Sequence, residues 1–228
     1  MVYVIQTALE LGFMYALVAM ALFLSYRILD IADLTTDSGF VLGAAVSVTV
    51  AAAGHPFLAI LAAGITILAG LFLVWFLGTR IGLSIRATGD NADMVRASSV
   101  NPVFTITVGL CISNALTALS GAVVGQYQKS ADINGGTGIV VIGLACLIIG
   151  ETLIGRRSMA RNVLAALIGS IVYRFIYAII LKTGIVPIEC LKLVTAIVVA
   201  LAIAGPELKK WAAFQKRKMS ATARRGGK

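Results

Sequence analysis

Seven predominantly apolar runs, at positions 4–28, 39–53, 56–78, 102–125, 138–154, 163–181 and 185–204, occupy most of the 228-residue sequence. A chain that places such runs in hydrocarbon must satisfy every backbone N–H and C=O within itself, which leaves helices or a closed barrel. Each run is continuously apolar rather than alternating, and most approach the roughly 20 residues that a helix needs to cross the bilayer. The sequence therefore predicts an all-α, polytopic transmembrane helix bundle of about seven to eight spans. With 59% hydrophobic and 13% charged residues, the composition excludes a soluble globular domain. One membrane domain over 1–206 and a basic tail over 207–228 account for the whole length.

The second and fifth runs are short, and each follows a polar, glycine-containing lead-in. A broken or re-entrant helix reads this way in sequence. The two also echo each other, Ser38-Gly39-Phe40-Val41-Leu42-Gly43-Ala44 against Thr137-Gly138-Ile139-Val140-Val141-Ile142-Gly143, as internal repeats of transporters do.

Charge sets the orientation. The formal net charge is +9, and the tail holds Lys209, Lys210, Lys216, Arg217, Lys218, Arg224, Arg225 and Lys228 against Glu207. Basic segments stay on the cytoplasmic side, so the tail is expected there, attracted to anionic lipid of the bilayer rather than to nucleic acid. Counting back places the loops with Arg156, Arg157 and Arg161, and with Arg80, Arg86 and Arg96, on the same side. The side of the amino terminus stays open, because a half-crossing over 27–38 reverses it. No basic n-region or cleavage site precedes the first run, which is expected to remain as a span.

The sequence contains no G-x-x-x-x-G-K-[ST] nucleotide-binding motif, so energy for any transport comes from a partner or a gradient. His55 is the single histidine, next to Pro56 at the edge of a run, with no metal or nucleophile partner nearby in sequence. Cys111, Cys146 and Cys190 lie far apart in apolar stretches and read as packed thiols. Neither an enzyme nor a cofactor is indicated.

Two polar segments are candidates for function. In residues 80–101, Asp90 or Asn91 can cap a short helix after Gly89, Asp93 favours its first turn, and Pro102 starts the next span. Such a helix would expose Met94, Val95, Ala97 and Val100 unless another protein covers them, which marks it as a docking element. The second segment, 27–39, places Asp30, Asp33 and Asp37 with Thr35, Thr36 and Ser38 between apolar runs. Inside the membrane these groups must face a water- or protein-lined route. An ordinary loop capping the next helix is the alternative.

Glu10, Glu151, Arg174, Glu189 and Lys192 fall within the apolar runs and should face the bundle interior or a cavity. Glu189 and Lys192 share a helix face and can neutralise each other. Arg174 calls for a carboxylate or carbonyl partner. Gly121 and Gly125 form a G-x-x-x-G that admits close approach of another helix, here expected within the chain.

Several ordered blocks then resemble a known family. They are Tyr15-Ala16-Leu17-Val18-Ala19-Met20-Ala21-Leu22, Tyr26-Arg27-Ile28-Leu29, Asp33 through Ala44, residues 86–100, Ser120-Gly121-Ala122 through Asn134, Ile142-Gly143-Leu144-Ala145 through Glu151, and Leu191 through Ile197. Together they resemble ABC permeases of the branched-chain amino acid and ribose importer type, in the subgroup found with tryptophan-type and uncharacterised solute-binding lipoproteins. The likeness covers nearly the whole chain, although Asp37-Ser38-Gly39 stands where many relatives have Asp-Gly-Ser.

The resemblance implies a permease subunit in the bacterial cytoplasmic membrane, paired with a second copy, an ABC ATPase and an extracytoplasmic solute-binding protein. It implies an ATPase-coupling element in Arg86, Gly89, Asp90, Asn91, Met94, Val95, Arg96 and Val100. It also implies a translocation path near Asp33, Thr35, Thr36, Asp37 and Ser38, to which the intramembrane Glu151 is added. The suggested solute is an amino acid, aromatic ones included. A gradient-driven transporter or channel, using Glu10, Asp37, Glu151 or Arg174 as coupling groups, is the competing class.

Overall fold

The computed structural model describes residues 2–52, 58–155 and 158–183, with the isolated residues 197 and 200. Among the described residues every regular element is helical, as the apolar runs require. Helix α1 (Val2–Leu22) continues into a π-helical turn, Phe23–Ile28, and α2 is Thr36–Ala52. Then come α3 (Leu58–Leu77), α4 (Arg80–Asp90), α5 (Ala92–Ala97) and α6 (Pro102–Gln128). A 3₁₀ turn at Ile133–Gly136 leads into α7 (Ile139–Ile154), and α8 is Met159–Thr183.

Four described stretches are long and apolar enough to cross a membrane: Tyr3–Ile28, Pro102–Gln128, Ile133–Ile154 and Met159–Lys182. Leu68–Leu77 and Arg80–Asp90, bent by 74° at the break between them, make a fifth if counted as one span. That is fewer than the seven to eight expected. Apart from residues 197 and 200, the run at 185–204 lies outside the described residues, as do His55, Cys190, the pair Glu189 and Lys192, Arg156, Arg157 and the tail. The other shortfall is α2, whose 17 described residues sit at the short limit for a crossing.

Side-chain contacts fix the helix directions. Ser113 and Ser120 of α6 donate hydrogen bonds to the carbonyls of Ala21 and Met14, so α1 runs antiparallel to α6. Helix α2 runs parallel to α6: Phe40 lies against Gly121 and Ala44 against Gly125. A Cβ at Gly121 would collide with the Phe40 carbonyl, and one at Gly43 with that of Ala118, so both glycines are needed for two backbones to touch. The G-x-x-x-G thus packs within the chain, as expected. Helix α7 runs parallel to α1, with Gly143 against Val18 and Leu22, and antiparallel to α8, with Gly150 against Ala165.

These directions place both short helices unusually. Helix α2 begins beside Asn114, at the middle of the 27-residue α6, and runs toward the end of the bundle where α1 starts. Helix α7 begins at the same depth, beside Asp37, and runs the opposite way, toward the end where α1 finishes. Their origin is sealed by an apolar cluster of Met14, Tyr15, Val18, Phe40, Val124 and Ile139.

Candidate functional site

Asp33 and Asp37 organise the mid-bundle region where α2 and α7 start. Asp33 is buried, and its Oδ1 accepts from the Thr35 backbone N–H at 2.9 Å and the Thr35 hydroxyl at 2.5 Å. Its Oδ2 accepts from Asn114 Nδ2 at 2.8 Å. Thr36, also buried, donates to the Asp33 carbonyl. The break between α1 and α2 is thus pinned to α6 by an Asp–Asn bond, which leaves the Asp33 carboxylate satisfied away from bulk water.

Asp37 does the same for α7. Its Oδ2 accepts from the Gly138 N–H at 3.1 Å and its Oδ1 from the Val140 N–H at 3.0 Å. The first N–H groups of a helix have no partner inside it, and an anion there also meets the favourable end of the helix dipole. Gly138, at φ 87°, supplies the left-handed residue that lets the chain turn into α7.

A cleft of about 820 Å³ opens beside these two helix starts. Thr35, Asp37, Ser38, Asn114 and Thr137 contribute polar groups, and Val41, Leu42, Ala118 and Ile133 form a largely apolar wall. Leu34, Leu42 and Ile133 around it are exposed. A cavity with an apolar wall and a few convergent polar groups is the usual form of a small-solute site.

The structure brings Asp33, Thr35, Thr36, Asp37 and Ser38 together at this level. Glu151 lies elsewhere, at the far end of α7, where its carboxylate takes a two-pronged contact from Arg27 Nε at 3.0 Å and Nη2 at 2.9 Å. Asn114, which no motif marked, brings a polar side chain of α6 to the site; its amide in the centre of a long apolar run was the available signal. Arg174 contacts an aromatic ring, and its Nε has no hydrogen-bond partner among the described residues. Its guanidinium sits 3.5 Å from the centroid of the Tyr15 ring, a cation–π contact suited to a low-dielectric interior. Cys146 is buried as expected, whereas Cys111 is exposed on α6.

In the second polar segment, Asn91 caps α5 by accepting from the N–H groups of Asp93 and Met94, and Asn101 caps α6 ahead of Pro102. Arg86, Gly89 and Asp90 lie on α4, Met94, Val95 and Arg96 on α5, and Val100 in the link to α6. Met94 is 71% exposed, but Val95 is buried, contrary to the expectation that both present apolar surface. The difference follows from the break at Asn91, which starts a new short helix with its own inward face. Gly89 lies against the Ile28 carbonyl so closely that no Cβ fits.

Two helices that start at mid-depth and diverge, beside a cleft in an otherwise apolar bundle, define a multi-pass membrane protein of the transport class, in which irregular backbone at membrane depth serves a solute or ion route. The chain belongs to the family of permease components of branched-chain amino acid transport systems, whose profile matches residues 64–203. Membership places it among membrane transport subunits rather than enzymes. It is 34% identical over 149 residues, 65% of its length, to the tyrosine transport system permease protein of Clostridioides difficile (strain R20291), and covers 50% of that relative. It is 27% identical over 273 residues to the uncharacterized protein RP368 of Rickettsia prowazekii (strain Madrid E), covering 89% of this chain and 97% of that one. The chain thus spans about half the length of the first relative and nearly all of the second. No solved structure matches.

Proposed function

We propose that this chain is the permease subunit of an ATP-driven ABC importer for an amino acid in the bacterial cytoplasmic membrane. The observation that carries the reading is the meeting of the α2 and α7 starts at mid-depth beside the cleft, with Asp37 binding one to the other. Thr35, Asp37, Ser38 and Asn114 line the translocation path, while Asp33 and Thr36 hold the break in shape. The apolar wall suits a solute with an apolar side chain, and the relative described as a tyrosine permease supports an amino acid.

The ATPase docks on α4 and α5, where Met94 is exposed beside Arg86, Asp90 and Arg96. That end is cytoplasmic, in keeping with the arginine-rich loops and basic tail. An extracytoplasmic binding protein delivers the solute at the opposite end. A second copy covers the exposed apolar rim of the cleft around Leu34 and Leu42. Counting α2 and the run at 185–204 as further spans beside the five described, the membrane domain extends over 1–206 with about seven crossings, followed by the tail at 207–228.

Co-expression with an ABC ATPase subunit of the same organism, extraction in mild detergent and mass measurement test the assignment. A stable assembly of two permeases and two ATPases is expected. A chain that binds no ATPase, yet transports alone on an ion gradient, would overturn it.

A further inference from the structure

The π-helical end of α1 touches two elements at once. On one side the Ile28 carbonyl rests on Gly89 of α4, within the segment to which docking is assigned. On the other, Arg27 grips Glu151 at the last turn of α7. Glu151 keeps 2% of its side-chain surface exposed, against 38% for Arg27. The carboxylate is thus buried against this cation, and removing Arg27 takes a charge partner from a group that is costly to bury.

Helix α7 carries that contact to the cleft. Its 16 residues extend about 24 Å, and its opposite end is held by Asp37 at the cleft wall, next to Gly136 and Thr137. The turn at the other end of the chain of contacts is irregular. Its backbone bonds skip an extra residue, with the Leu29 N–H reaching the Leu24 carbonyl, and Ser25 is buried with its hydroxyl unpartnered. Asp30, just beyond, sits at φ 54°. π turns inside helices recur at functional sites.

We propose that Arg27 and Glu151 are coupling residues. Displacement of α4 by the ATPase moves the π turn through the Gly89 contact, and the Arg27–Glu151 pair passes that movement along α7 to the Asp37 end, changing the cleft. The proposal rests on the reading of the chain as an ATP-driven permease, but half of its test does not.

In the permease alone, hydrogen exchange at the Gly138 and Val140 amides is compared between wild type, Arg27→Gln and the exchanged pair Arg27→Glu/Glu151→Arg. Faster exchange at those two amides in Arg27→Gln, returning toward wild type in the exchanged pair, is expected; loosening confined to residues 147–154 overturns the linkage. In liposomes holding permease, ATPase and binding protein, uptake per ATP hydrolysed is expected to fall on the order of tenfold in Arg27→Gln and to recover in the exchanged pair. An unchanged ratio in Arg27→Gln also overturns it. Should Arg27→Gln not fold, Arg27→Lys, which keeps the charge but not the fork, is read the same way. If the wild-type complex shows no ATP-driven uptake, it is the importer assignment that fails, and the exchange experiment still decides the linkage.

Discussion

Asp37 Oδ2 accepts the backbone N–H of Gly138 at 3.1 Å, joining the first turn of α2 to the lead of α7 across 101 positions of sequence. This bond and its companion to Val140 make the two broken helices one unit. Replacing Asp37 with Ala leaves two amides at a helix start unpartnered, at a cost of about 1–2 kcal/mol. Thermal unfolding of the detergent-solubilised permease should shift down accordingly. Asp37→Asn, which keeps one acceptor oxygen, should lose less; equal melting of all three proteins would contradict the capping role.

Asn114 holds the other break. Asn114→Leu removes the Nδ2 donor from the buried Asp33 carboxylate, with an expected loss of about 1–3 kcal/mol. Reduced uptake at equal membrane abundance should accompany it, since Asn114 also faces the cleft. Wild-type stability in that variant would show that Asp33 is satisfied without it.

The α2–α6 contact allows a steric test with its own control. Gly121→Val forces a side chain into the Phe40 carbonyl and should cost about 1–3 kcal/mol or more, read as loss of the folded peak in detergent gel filtration. Gly135→Ala would meet only the Asp132 Cβ at 3.7 Å and should behave as wild type.

Docking and folding separate at neighbouring positions. Met94→Asp, at an exposed site, should leave the bundle folded while weakening association with the ATPase. Val95→Asp buries a charge and should instead reduce the yield of folded permease. Pull-down of the ATPase by each variant checks this, with equal retention by Met94→Asp counting against docking on α5.

The helical class and most helix limits were legible because long apolar runs admit few other structures. The run at 102–125 became α6, capped by Asn101 with Pro102 at its start, as the residue types require. The short second and fifth runs begin beside the middle of α6, although the fifth with its lead-in is long enough to cross. What could not be read was which residues meet across the bundle. Helices apolar around their whole circumference carry no stripe to mark a buried face, so the partners of Asp37 and Glu151 had no local signature. The periodicity of 92–97 also hid Val95, because the face it occupies depends on where Asn91 breaks the helix.

On the proposed function, solute passes through the cleft beside the α2 and α7 starts. The most direct test is ATP-driven uptake by a Ser38→Cys permease, with Cys111, Cys146 and Cys190 replaced by Ala, reconstituted with its ATPase and binding protein before and after reaction with a bulky, water-soluble maleimide. Complete labelling and loss of uptake with ATP hydrolysis retained are expected. Fully labelled permease that still transports at the unlabelled rate would contradict it.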